Sequence, residues 1–146
     1  MFSDLLNRLS GAAPQPEPQT DYRLALSALL VRCAKVDGVY EETEVAMIDR
    51  VLTDRYGLTP FEAGALRREG ETLEAEAGDT VHLTKAIKDG VPYEERLPVI
   101  EALWRVVLSD DHRDYEENAY LRLVAKLLGV NDVDSAHARQ AAAGRT

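Results

Sequence analysis

Residues 24–44 read LALSALLVRCAKVDGVYEETE, and this stretch decides the fold. Its first part, up to Val36, is apolar almost all round and is broken chiefly by Arg32 and Lys35, which is typical of a helix enclosed by other helices. An acidic turn follows, and residues 41–44 then begin an amphipathic segment with helical spacing. The stretch therefore predicts a buried helix, an acidic turn and a second helix.

The same pattern returns 73 residues later in the chain, where residues 103–107 lie over residues 30–34. The acids of the turn recur at the same offset, with Asp37, Glu41 and Glu44 lying over Asp110, Asp114 and Glu117. Two copies are too few for a repeat array. The repeat therefore predicts two helix pairs that pack face to face about a pseudo-twofold axis.

Helical periodicity continues along the rest of the chain, and no stretch alternates as a strand would. The expected helices cover residues 22–36, 42–56, 59–77, 79–90, 92–109, 114–129 and 131–143. We predict an all-α fold, a single helical bundle of six to seven helices over residues 21–146. Residues 1–20 are expected to hold a short amphipathic segment and a proline-rich linker, because closely spaced prolines disfavour a helix.

The charge balance limits the classes of partner. The chain has 26 acidic and 17 basic residues, a formal net charge of -9, which argues against a nucleic acid bound through its phosphates. It favours cationic partners or metal ions.

The single cysteine, Cys33, excludes an intrachain disulfide and a thiolate-rich zinc site. With no transmembrane run and no basic start of a secretory signal, a cytoplasmic protein is expected.

The two acidic turns are the most concentrated chemical feature. Residues 37–44 and 110–117 together hold nine of the 26 acids. Crowded carboxylates repel one another unless a cation neutralises them, and oxygen ligands suit calcium, magnesium or manganese. The turns are therefore a candidate site for a divalent metal ion.

Helix capping is the competing interpretation of these acids. Glu44 and Glu117 each stand three residues after an acid that starts a helix, which is the spacing of a capping box. Capping explains Asp37 and Asp110 less well, because an acid near the C-terminus of a helix opposes the helix dipole.

Catalytic patterns are lacking. Ser109, His112 and Asp114 supply the residue types of a triad, but they crowd one short turn with no strand-to-helix nucleophile elbow. The glycines lack the spacing of a phosphate-binding loop. An EF-hand is excluded as well, because Gly38 follows Asp37 directly. A non-enzymatic protein is expected.

The order of these segments resembles the TerB-like (tellurite resistance protein B) family. Residues 26–44 resemble its first half, residues 92–97 and 103–106 its second half, and residues 55–59 the link between them. The similarity covers roughly residues 22–131. It implies a helical bundle of two related halves and a non-enzymatic role in bacterial tellurite resistance and stress responses, alongside membrane-associated or metal-binding partners.

The resemblance also implies a metal site, because the family's acidic positions are proposed to chelate a metal. They carry over here to four residues: Asp37, Glu44, Asp110 and Glu117. Asp111 replaces a usual glycine and Tyr115 a usual proline, so the second turn is expected to differ in shape. We predict a divalent cation at the paired turns. The alternative is an interaction module whose acidic face docks a basic protein partner without metal.

Overall fold

The computed structural model describes residues 18–36, 38–109 and 115–145, which form seven helices and no strand. In chain order these are α1 (Pro18–Ala34), α2 (Glu42–Tyr56), α3 (Pro60–Glu76), α4 (Thr80–Gly90), α5 (Tyr93–Leu108), α6 (Tyr115–Leu127) and α7 (Asp132–Arg145). The predicted all-α fold is confirmed. None of these helices is long and apolar enough to cross a membrane.

Helix α1 begins earlier than the sequence predicts. It starts at Pro18, inside the predicted linker, and ends at Ala34, after which Lys35 and Val36 form a turn. A proline is well tolerated at the first position of a helix, because the N–H that it lacks would have no helical partner there. Pro18 is therefore the first residue of the helix, although it belongs to the proline-rich segment.

The helices pack as two similar halves. Helix α1 packs on α3, and α5 packs on α7 in the same way. Helices α1 and α5 also contact each other, and each is contacted by the second helix of the other half, α6 and α2 respectively. This reciprocity is what the predicted pseudo-twofold axis requires. Each half contains three helices rather than the predicted two, and α4 joins the halves along α1 and α6.

Helices α1 and α5 supply most of the core. The repeat-related Leu30 and Leu103 are both 0% exposed, and Cys33 and Trp104 are only 1% and 4% exposed. Complete burial of a leucine side chain stabilises a fold by about 1.5–3 kcal/mol. The predicted enclosure of the two apolar helices is therefore confirmed.

Helices α1 and α3 lie in close contact at Gly70. A Cβ atom at this position would lie 2.8 Å from the Cβ of Ser27. The Ser27 hydroxyl donates a hydrogen bond to the carbonyl oxygen of Leu66 at 3.1 Å, which satisfies it within the contact. The glycine, which would weaken an isolated helix, therefore allows the two helices to pack together.

Candidate functional site

The structure describes the four predicted metal ligands to different extents. Asp37 and Asp110 lie outside the described residues. Glu117 lies in the first turn of α6, but its side chain is outside the described part of the chain. Glu44 lies in the first turn of α2 and is 0% exposed. The described residues contain no group of three His, Cys, Asp or Glu side chains placed to hold a metal ion.

Glu44 caps the start of α2, as its spacing predicts. Its Oε1 atom accepts a hydrogen bond from the backbone N–H of Glu41 at 3.3 Å. The backbone N–H of Glu44 in turn donates to the carbonyl oxygen of Glu41 at 3.1 Å. Glu44 thus satisfies a backbone donor that the helix leaves without a helical partner.

A second capping box, at the start of α3, shows that capping does not require burial. The Thr59 N–H donates to Oε1 of Glu62 at 3.0 Å, and the Glu62 N–H donates to the Thr59 hydroxyl at 3.2 Å. Glu62 is exposed, and the bond from the Thr59 backbone lowers the pKa of its carboxyl group. Glu44 makes the same backbone contact in complete burial, where a carboxylate needs nearby positive charge or hydrogen bonds. Capping alone does not require this burial.

Side chains of α3 bind Tyr40, which lies in the first acidic turn. The Tyr40 hydroxyl donates to Oε2 of Glu71 at 2.8 Å, and Arg67 donates to Glu71 at 3.1 Å. Burial, followed by the bond to Glu71, raises the pKa of Tyr40, so the hydroxyl keeps its proton. Sequence reasoning missed this cluster. Arg67 and Glu71 are one helical turn apart, a spacing typical of an ordinary ion pair on a helix surface. Only the packing of the helices brings Tyr40 to them.

The family model for tellurite resistance protein TerB matches residues 23–140, which is most of the chain. The chain belongs to the TerB family. The match confirms the resemblance seen in the sequence and relates this domain to tellurite resistance. Neither a curated protein nor a solved structure matches the chain.

In this TerB domain the first acidic turn has a buried side and an exposed side. Glu44 lies on the buried side. Glu41 and Glu42 are exposed, and the neighbouring Val39 is 49% exposed.

Proposed function

We propose that this TerB domain is a non-enzymatic stress-response protein that binds a divalent cation at its paired acidic turns. The observation that carries the proposal is the full burial of Glu44, which its capping role does not require. A hard cation at the turn would offset the charge of this carboxylate and of the acids around it. Asp37 and Asp110 would supply further oxygen ligands, and Glu117 is the repeat equivalent of Glu44.

Replacing both glutamates tests the proposal. In Glu44→Gln combined with Glu117→Gln, the amide oxygen can still accept the capping hydrogen bond, so the free energy of unfolding should change by less than about 1 kcal/mol. The loss of two negative charges should weaken divalent binding at least about tenfold, which is about 1.4 kcal/mol. Calorimetric titration of the full chain with calcium, magnesium and manganese chlorides measures this affinity.

The chain offers a matched control in Glu62, which has the same capping role in an exposed position. Glu62→Gln should leave cation affinity unchanged, whereas Asp37→Asn combined with Asp110→Asn should weaken it. The proposal fails if the wild type binds none of the three cations. It also fails if Glu62→Gln weakens binding as much as the paired variant does.

The exposed side of the first turn favours a second function, the docking of a basic protein partner. Val39 is an exposed apolar residue beside Glu41 and Glu42, and a basic surface with an apolar contact would complement this arrangement. A lysine-rich peptide should then bind in the presence of a chelator. Glu41→Gln combined with Glu42→Gln should weaken that binding. Peptide binding that disappears with chelator would instead support the cation site.

A further inference from the structure

A pocket of about 450 Å³ lies between α5, α6 and α7. This volume is within the range of small-molecule sites, ~300–1,000 Å³. Among the described residues, Arg122, Lys126 and Arg139 line the pocket together with the carboxylate of Asp132. None of these three basic side chains forms a salt bridge within the described part of the chain. The pocket is therefore locally basic in a chain with a formal net charge of -9.

Two of the lining residues have buried polar atoms that lack a hydrogen-bond partner among the described residues. These atoms are Nε1 of Trp104 and Oδ1 of Asn118. The indole N–H can only donate, and the side-chain amide can donate or accept according to its rotation. Trp104 is 4% exposed, and the guanidinium carbon of Arg139 lies 5.2 Å from the centroid of its ring. The Trp104 indole can thus donate to a ligand that carries acceptor atoms, and the Asn118 amide can donate as well when it is turned so that Nδ2 faces the ligand.

The equivalent place in the first half of the molecule can be found from the repeat. Gly57 and Gly129 both follow the second helix of their half with a positive φ, 63° and 75°, and they are 72 residues apart. Because these glycines precede the third helices, α3 and α7 are compared at an offset of 72 residues. At this offset Arg67 of α3 corresponds to Arg139 of α7.

The two halves differ at one position of their second helices, α2 and α6, which are related by the offset of 73 residues. Asp49 of α2 corresponds to Arg122 of α6. In the first half, Nε of Arg67 donates to Oδ1 of Asp49 at 2.6 Å. In the second half the carboxylate is replaced by a guanidinium group, so Arg139 has lost the equivalent counter-anion and a pocket lies beside it.

We propose that this pocket binds a small phosphate-bearing anion, either inorganic phosphate or a phosphate monoester, which takes the place of the Asp49 carboxylate. Two guanidinium groups offer paired N–H donors that match the spacing of phosphate oxygens, and the Lys126 ammonium adds charge. Among the described residues that line the pocket, three cationic side chains against the Asp132 carboxylate leave an excess of two positive charges, which suits a dianion. The site is separate from the acidic turns and does not depend on the cation proposal.

Trp104 is the only tryptophan, so its fluorescence reports on this pocket directly. The full chain is titrated with sodium phosphate and with glycerol phosphate at constant ionic strength and with a chelator present. A saturable change in fluorescence is expected at concentrations up to roughly 10 mM. Tighter binding of the ester would identify an esterified phosphate as the ligand, and equal or tighter binding of inorganic phosphate would identify the free ion.

Arg122→Asp is the decisive variant, because it installs the carboxylate that the first half already has. It should abolish the phosphate response and raise the melting temperature in the absence of ligand, since Arg139 gains an internal partner. Lys126→Gln should weaken binding at least about tenfold, which is about 1.4 kcal/mol. Lys85→Gln, at an exposed lysine of α4 outside the pocket, should leave binding unchanged.

The proposal is overturned if neither phosphate compound gives a saturable response in the wild type. It is also overturned if Arg122→Asp responds as the wild type does, or if Lys85→Gln weakens binding as much as Lys126→Gln. Lys126 is exposed, so Lys126→Gln is expected to fold and carries the test even if Arg122→Asp does not.

Discussion

At the scale of single residues, Tyr120 gives the fold a dependence on alkaline pH. Its hydroxyl lies 2.5 Å from the Thr80 hydroxyl, and burial raises its pKa to about 12 from an ordinary value of 10.0. A folded-state pKa above the unfolded one means that Tyr120 contributes stability fully below pH 10.0, and that this contribution is lost as the pH rises towards about 12.

Tyr120→Phe should therefore lose less stability than the wild type when the pH rises from about 9 to about 11, across the ordinary pKa of tyrosine. Urea unfolding at the two pH values, followed by circular dichroism, measures both losses. An equal loss in the two proteins would show that the Tyr120 hydroxyl does not titrate with folding.

At the scale of helices, the contact between α1 and α3 depends on the absence of a side chain at Gly70. Gly70→Ala should destabilise the protein by about 1–3 kcal/mol, because the new methyl group would overlap Ser27 and force the helices apart. Gly64→Ala in the same helix is the control. Its Cβ would lie 3.3 Å from the flexible end of Arg68 and 3.9 Å from the ends of the Arg67 and Asp49 side chains. Alanine favours a helix over glycine by up to about 1 kcal/mol. Similar melting temperatures for the two variants would rule out the close contact.

At the scale of the whole molecule, the contact between α1 and α5 joins the two halves into one core. Leu30→Ala and Leu103→Ala should each destabilise the chain by about 2–5 kcal/mol, because each leaves a cavity at equivalent places in the core. Leu123→Ala, at a leucine that is 49% exposed, should cost less than about 1 kcal/mol. Calorimetry should show one cooperative transition in all three variants. Two separate transitions would mean that the halves unfold independently.

The fold could be predicted largely from local patterns, because the apolar positions of α1 and α5 leave no polar face wide enough for solvent. The third helix of each half was not recognised as part of the repeat. Few residues are shared between residues 60–76 and 132–145, and the offset changes from 73 to 72 before them. Gly57 and Gly129 were the available signal, since both end a helix at corresponding places.

The candidate sites could be predicted only in part. The capping contact of Glu44 follows from spacing within one helix, but its burial depends on neighbouring helices that spacing does not specify. The sequence analysis did not predict the basic pocket, because its basic side chains come from two helices and the chain as a whole is strongly acidic. Comparison of Asp49 with Arg122 across the repeat would have indicated it.

Cys33 is the only thiol of the chain, and it lies 1% exposed on the helix that most of the others contact. A thiol reagent can reach the sulfur only when α1 leaves the core, an opening that involves much of the molecule. The rate of thiol labelling under native conditions therefore measures how often that opening occurs. An anion in the basic pocket or a cation at the acidic turns would lower the labelling rate, by a factor set by its binding free energy. One sulfur atom would thus report on the occupancy of two sites that it does not line.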